Sequence, residues 1–188
     1  MIPSIVLNAF LVVTNIVCTV LGLKKRSVQG LFRYFTVQSN LFCALCAIVV
    51  LLAWTTGALP KWVILLKYIG TVAVSVTLIT VFAFLAPVSG EWKKLLSGPD
   101  LFWHLFCPLV AIVSLCVFER TDFGFPWVFL GLVPTVLYGI FYLYRVVLIE
   151  ESRRMEDFYG FNKNGRWPLS ILLMLLMTFA ASVILWAV

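Results

Sequence analysis

The sequence predicts an all-α membrane protein, a bundle of six transmembrane helices that forms a single domain over residues 1–188. Of the 188 residues, 63% are hydrophobic and 12% are charged, whereas a typical soluble domain has about 45–50% apolar and about 25% charged residues. The mean hydropathy is +1.07. Because each membrane span takes about 20 residues, a chain of this length that belongs in lipid has no room for a separate soluble domain.

Six apolar stretches are long enough to cross a bilayer. The predicted spans are residues 2–23, 31–55, 62–86, 101–118, 127–149 and 167–188. Tryptophan residues lie near the ends of these spans, as expected for an aromatic belt. The first span follows no basic region and precedes Lys24-Lys25-Arg26, an order that predicts an uncleaved anchor. The fourth span contains Pro108, which leaves a backbone carbonyl for other groups to satisfy.

The net charge is +6, and the distribution of the basic residues between the loops predicts the orientation of the chain in the membrane. Most Lys and Arg residues lie in or beside the first, third and fifth loops, whereas the second and fourth loops with their flanks carry only Lys61, Lys67 and Arg120. The positive-inside rule therefore puts the odd-numbered loops in the cytoplasm and both termini on the outer side. Basic residues beside apolar runs meet anionic lipid, so we expect no nucleic-acid partner.

The five cysteines all fall inside apolar stretches. Cys43 and Cys46 have the C-x-x-C spacing, which within a helical span simply places both on one face. A tetrahedral zinc site would need more ligands than one histidine and scattered thiols supply. The sequence therefore predicts no metal site and no cofactor, with the cysteines acting as small packing residues.

The longest loop, residues 150–166, mixes acidic and basic residues with Gly160 and Asn162. We expect a solvated cytoplasmic connection with a short interfacial helix. The alternative is a docking surface for a partner or for lipid headgroups, which would make the chain a structural or regulatory subunit.

Several polar residues are predicted at one depth in the membrane. At a rise of about 1.5 Å per residue, Thr36 lies about five residues into the second span and His104 about four residues into the fourth. Both spans enter from the predicted cytoplasmic side, so the two side chains reach the same level of one leaflet. Other polar residues expected in this half of the bundle are Asn15, Asn40, Thr80, Asp100, Tyr138, Tyr142 and Arg145.

Helical spacing groups these residues by face. Thr36 and Asn40 share a face at i, i+4, Asp100 lies one turn before His104, and the fifth span carries a stripe of Thr135, Tyr138, Tyr142 and Arg145. Each residue also has a purely structural interpretation. A membrane threonine often bonds its own i−4 carbonyl, an interfacial histidine meets headgroup water, an acidic residue caps a helix, and an arginine reaches out to anionic lipid. These interpretations leave the common depth of Thr36, His104 and Tyr142 unexplained.

A threonine and a histidine at one depth suggest nucleophilic catalysis on an acyl ester held in the leaflet. The threonine hydroxyl is a poor nucleophile until a base takes its proton, and a neutral imidazole is suited to that step. Asn40 or Tyr142 could stabilise the oxyanion, and Asp100 could orient the imidazole.

Two segments of the chain resemble a known family. They are Arg33-Tyr34-Phe35-Thr36-Val37-Gln38-Ser39-Asn40-Leu41 and Asp100-Leu101-Phe102-Trp103-His104-Leu105-Phe106-Cys107-Pro108. With the six-span layout, and with Pro134, Tyr138 and Tyr142 in the fifth span, they are similar to the androgen-induced-gene family of multi-pass membrane proteins, especially to its bacterial members. Characterised animal members are threonine hydrolases of fatty acid esters of hydroxy fatty acids.

The resemblance implies an intramembrane lipid ester hydrolase with Thr36 as nucleophile and His104 as general base. It also implies a multi-pass protein of the bacterial cytoplasmic membrane and a lipid ester as its partner. If the polar faces point inward, they form a pocket just beneath the cytoplasmic headgroups. A non-catalytic lipid-binding protein or small transporter that uses this pocket is the alternative. The oligomeric state is left open.

Overall fold

The computed structural model describes all residues, 1–188, and contains helices but no strands. Six of its helices are long and apolar enough to cross a membrane, which indicates an integral membrane protein and confirms the predicted fold class. We number these helices α1 (Ile2–Leu23), α2 (Phe35–Trp54), α3 (Lys61–Ser89), α4 (Pro99–Phe118), α5 (Phe125–Leu148) and α6 (Trp167–Ala187). The placement of both termini on the outer side remains a prediction.

The boundaries differ from the predicted spans mainly at the start of α2. The predicted second span begins at residue 31, but Leu31 belongs to a separate short helix, Val28–Phe32. Ser27 caps this helix by accepting a hydrogen bond from the backbone N–H of Gly30 at 3.1 Å. The chain is extended at Tyr34 before α2 begins. Thr36 is therefore the second residue of α2, at its very N-terminus.

Prolines set irregular turns within three of the long helices. A π-helical turn at Val81–Leu85 precedes Pro87 in α3, and another at Phe102–Phe106 precedes Pro108 in α4. In α5, a 3₁₀ stretch precedes Pro134. Proline lacks the N–H of a regular helical hydrogen bond and crowds the preceding turn, and a local change of helical pitch accommodates it.

Helix α3 is the centre of the bundle and packs against α2, α4, α5 and α6. Helix α1 packs on the other side of α2 and α4. Gly70 of α3 lets α2 come close, because a Cβ atom there would lie 3.1 Å from the Cys46 sulfur and 3.3 Å from Cys43 Cα. Both cysteines are buried free thiols at this helix contact.

The α5–α6 loop, residues 150–166, folds back onto the bundle and differs here from the solvated connection expected from its composition. Phe161 is buried, and Phe158 and Tyr159 pack against a core cluster that contains Phe35, Tyr138 and Tyr142. The only regular structure in the loop is two short 3₁₀ turns. Its aromatic residues are enough to bury its second half, in spite of the surrounding charges.

Candidate functional site

A cavity of about 270 Å³ lies between α2, α3, α5, α6 and the α5–α6 loop. Most of its wall is apolar, and α6 contributes Leu173, Met174 and Met177. Its hydroxyl-bearing residues are Thr36, Thr77, Thr80, Thr135, Tyr138, Tyr142, Tyr159 and Ser170. An apolar cavity with a few polar groups is typical of sites for small amphipathic ligands.

The predicted site residues divide into two groups. Thr36, Thr80, Tyr138 and Tyr142 line the cavity together. The cavity wall does not include Asn15, Asn40, Asp100, His104 or Arg145. Four of the predicted residues, on α2, α3 and α5, thus share one cavity, whereas the others, on α1, α2, α4 and α5, lie outside its wall.

The hydroxyl of Thr36 makes no hydrogen bond to a backbone carbonyl. The carbonyl one turn earlier, on Phe32, accepts a hydrogen bond from the Gln38 side chain at 2.8 Å. By contrast, Thr71 and Thr178 bond their own i−4 carbonyls at 2.8 Å, as membrane threonines commonly do. Thr36 is 9% exposed and lines the cavity, and its hydroxyl contacts the phenol of Tyr159 rather than its own helix.

Tyr159 of the α5–α6 loop places its phenol beside Thr36. The phenol oxygen accepts a hydrogen bond from the backbone N–H of Phe35 at 3.2 Å. Burial raises the pKa of Tyr159 to about 12, against the opposing effects of the Phe35 N–H and of the Tyr138 and Thr36 side chains. The phenol is therefore protonated at neutral pH. Tyr159 is not among the residues predicted from the sequence, because the charged composition of its loop predicts a solvated connection.

Tyr138 and Tyr142 use their hydroxyls to hold loops in place. Tyr138 donates to the Arg33 carbonyl at 2.8 Å. Tyr142 donates to the Asp157 carboxylate at 3.0 Å and accepts from the Tyr159 backbone N–H at 3.2 Å. Both tyrosines therefore shape the cavity wall, with their own O–H groups already engaged.

His104 lies in the π-helical turn of α4 and is 6% exposed. Its Nδ1 is 2.7 Å from the backbone carbonyl of Leu95. Since a carbonyl can only accept, Nδ1 carries the proton and Nε2 carries the free lone pair. No hydrogen bond joins His104 to Thr36. Asp100 makes no hydrogen bond to the imidazole; it lies in the first turn of α4, whose N-cap is Gly98.

Asn15 and Asn40 clamp Trp103, the neighbour of His104. Asn15 Oδ1 accepts from the indole N–H at 3.1 Å. Asn40 Nδ2 donates to the backbone carbonyls of Trp103 at 3.1 Å and of Thr36 at 2.8 Å. The two asparagines thus join α1, α2 and α4, and Asn40 has no N–H left for an oxyanion.

Arg145 departs from the stripe predicted for α5. A π-helical turn spans Tyr144–Leu148 and includes Arg145, and Arg145 is not part of the cavity wall that Tyr138 and Tyr142 line. The side chain is half-buried, and the Arg145 carbonyl accepts from the Met155 backbone N–H at 2.9 Å. This backbone hydrogen bond joins the end of α5 to the α5–α6 loop.

A second polar cluster lies near the opposite end of the bundle, where both termini lie. Lys67 and Glu119 are fully buried with their charged atoms 3.9 Å apart. Lys67 donates to Asn8 Oδ1 at 2.7 Å, and Glu119 accepts from Ser4 at 2.6 Å, from Ser114 at 2.8 Å and from Asn8. This cluster was not predicted, because Lys67 was assigned to the flank of a loop. A lone lysine inside an apolar helix is the sequence signal for a buried partner.

Comparisons of the chain with protein families, with curated proteins and with solved structures give no match. The function proposed for this site therefore rests on its residues, on their geometry and on the resemblance of the two segments around Thr36 and His104.

Proposed function

We propose that the protein is an intramembrane hydrolase of fatty-acyl esters, such as fatty acid esters of hydroxy fatty acids, with Thr36 as nucleophile and His104 as general base. The observation that carries the proposal is the hydroxyl of Thr36, bonded to no backbone carbonyl, at the wall of an apolar cavity. The resemblance of the segments around Thr36 and His104 to threonine hydrolases supports the same assignment. The proposed location is the bacterial cytoplasmic membrane, with the cavity at the cytoplasmic side.

The shape and lining of the cavity suit a lipid ester. The apolar wall accepts an acyl chain, and the hydroxyls of Thr80 and Thr135 are available to polar atoms of the ester. Thr135 is 2% exposed, and its hydroxyl has no hydrogen-bond partner in the protein. A buried hydroxyl without a partner costs free energy, and an ester oxygen in the cavity would satisfy it.

The proposed reaction is acyl transfer to Thr36 followed by hydrolysis. Thr36 Oγ1 attacks the ester carbonyl carbon, and its proton goes to His104 Nε2, the nitrogen with the free lone pair. Collapse of the tetrahedral intermediate breaks the bond to the leaving oxygen, which takes that proton. Water, deprotonated by the same imidazole, then releases the fatty acid and restores Thr36.

This mechanism requires the His104 ring to approach Thr36 when substrate binds. Catalytic hydrogen bonds are often long in ligand-free structures and tighten in the complex. Asn40 donates to the carbonyls of Thr36 and of Trp103, the neighbour of His104. The backbone segments that carry Thr36 and His104 are therefore already joined.

The second candidate is a lipid-binding protein without catalysis. It is favoured by one specific observation, the position of His104 outside the wall of the cavity. This candidate predicts that a lipid is retained through purification and that Thr36 forms no acyl adduct.

Hydrolysis of a fluorogenic long-chain acyl ester by detergent-purified protein tests the proposal. We expect turnover by the parent, none by Thr36→Ala, and a loss of at least about 100-fold in His104→Ala, the range for a general base. Thr71→Ala is the matched control, because Thr71 is buried in α3 outside the cavity and bonds only its own helix.

Equal turnover by Thr36→Ala and the parent would overturn the proposal, as would a parent without turnover on this ester and on a fatty acid ester of a hydroxy fatty acid. In the latter case a co-purified lipid, identified by mass spectrometry, would support the lipid-binding candidate. Thermal melts show that each variant is folded.

A further inference from the structure

The phenol of Tyr159 is the one polar group that the α5–α6 loop brings to the proposed nucleophile. It contacts the N-terminus of α2 through the Phe35 N–H at 3.2 Å and lies against the hydroxyls of Thr36 and Tyr138. Tyr159 is also part of the cavity wall. The phenol therefore lies beside the proposed nucleophile and faces the same cavity.

The other donors around Thr36 are already used. The O–H of Tyr138 donates to the Arg33 carbonyl, and the O–H of Tyr142 donates to the Asp157 carboxylate. Asn40 donates to two carbonyls. The Tyr159 hydroxyl accepts from Phe35 and donates to no backbone carbonyl or carboxylate. The oxygens beside it are the hydroxyls of Thr36 and Tyr138, so its proton can turn to an ester oxygen that enters the cavity.

The local electrostatics favour negative charge at this point. Phe35 is the first residue of a helix that runs from Phe35 to Trp54, so its N–H has no acceptor within the helix, and the positive end of the helix dipole lies here. Its donation to the phenol oxygen polarises the O–H of Tyr159, because hydrogen bonds in a chain strengthen one another.

We propose that the Tyr159 hydroxyl is the oxyanion donor for the ester that Thr36 attacks, an inference that rests on the proposed function. When Thr36 Oγ1 bonds to the carbonyl carbon, the π electrons of the carbonyl move onto its oxygen. Tyr159 donates a hydrogen bond to this oxygen and keeps its proton. Return of the electrons expels the leaving oxygen, which takes the proton held by His104.

Tyr159→Phe removes the proposed donor and keeps the aromatic ring. Loss of one oxyanion donor lowers kcat by about 100-fold to 1,000-fold in other enzymes, so we expect a fall of about 100-fold in kcat with KM little changed. Tyr144→Phe is the matched control, because Tyr144 is 53% exposed on α5 and lies outside the cavity wall.

Two inhibitors separate an oxyanion role from a structural one. A long-chain trifluoromethyl ketone forms an adduct with Thr36 that carries an oxyanion, whereas an ether analogue of the substrate fills the cavity without one. Tyr159→Phe should weaken binding of the ketone by about the same factor by which it lowers kcat, and it should leave the affinity for the ether unchanged.

Each outcome of this experiment decides the role of Tyr159. If the parent hydrolyses esters and Tyr159→Phe matches it, the inference is overturned and the proposed function stands. If Tyr159→Phe weakens both inhibitors equally, Tyr159 is only structural and the inference is again overturned. A parent without turnover overturns the proposed function together with the inference.

Discussion

The hydroxyl of Tyr142 donates to the Asp157 carboxylate at 3.0 Å and so ties α5 to the α5–α6 loop. The same carboxylate accepts from the backbone N–H groups of Phe161 at 2.8 Å and of Asn162 at 2.7 Å. Three donors thus converge on one side chain, and through it the loop that carries Tyr159 is held over the cavity.

Asp157→Asn is expected to open this loop. The amide NH₂ would face one of the three donors, so at least one charge-assisted hydrogen bond is lost, at a cost of about 2 kcal/mol. Hydrogen exchange measured by mass spectrometry should show faster exchange of the Phe161 and Asn162 amides. Glu156→Gln is the control, because Glu156 is exposed and pairs with Arg33 only at 3.9 Å; equal exchange in both variants would contradict the role of Asp157.

Gly139→Ala is expected to shrink the cavity while the protein still folds. A Cβ atom at Gly139 would lie 2.7 Å from the terminal methyl of Met174, the flexible end of a cavity-lining side chain that can turn into the cavity. Since a change of about one methylene in an apolar pocket is worth roughly tenfold in specificity, kcat/KM should fall about tenfold more for long-chain than for short-chain esters. Equal falls for both chain lengths would argue against the cavity as the acyl site.

Gly131→Ala provides the contrast, because the space at Gly131 is fixed. A Cβ atom there would lie 2.3 Å from Ser182 Oγ, which is held by Tyr68 at 2.6 Å and by the Val128 carbonyl at 2.8 Å. We expect a loss of about 1–3 kcal/mol in the free energy of unfolding from overpacking. A melting temperature equal to that of the parent would contradict this packing.

Lys67→Met and Glu119→Gln should each destabilise the fold, Lys67→Met by about 3–5 kcal/mol, because each leaves a buried charge without its partner. The double variant Lys67→Met with Glu119→Gln should lose less free energy of unfolding than the sum of the two single losses, since it removes both charges. Thermal unfolding in detergent measures all of these variants. Additive losses would show that the two charges do not interact.

The alkaline stability of the protein should depend on Tyr159. Burial raises the pKa of the folded Tyr159 to about 12 from an ordinary value of 10.0, so the unfolded chain releases this proton first as the pH rises. The contribution of the protonated Tyr159 to the free energy of unfolding is therefore fully present below pH 10 and is lost between pH 10 and 12. The melting temperature of the parent should fall more steeply over this range than that of Tyr159→Phe; parallel curves would contradict the shift.

The sequence predicts the six membrane helices well, because apolar stretches long enough to cross a bilayer leave few alternatives. It also predicts Thr36, Thr80, Tyr138 and Tyr142 as parts of one pocket, because helical rise and spacing convert position into depth and face. These arguments use only local geometry. They do not determine which face meets the cavity: Asn15 and Asn40, in regular helices, bind Trp103 instead, and His104 and Arg145 lie in π-helical turns.

The sequence does not predict the wall that the α5–α6 loop adds. Charges dominate the composition of this loop, and its fold depends on Asp157 meeting Tyr142, a contact between segments that no periodicity describes. The pairing of Lys67 with Glu119 was missed for the same reason, since it joins two helices that are distant in the chain.

The assignment of Thr36 as the nucleophile can be tested by mapping the residue that a fluorophosphonate probe modifies. A fluorophosphonate reacts with a hydroxyl activated by a base and leaves a stable adduct. If Thr36 is the nucleophile and His104 its base, we expect one adduct, on the peptide that contains Thr36. This adduct should be absent in Thr36→Ala and strongly reduced in His104→Ala. An adduct on another residue, or none in a folded parent that hydrolyses esters, would contradict Thr36 as the nucleophile.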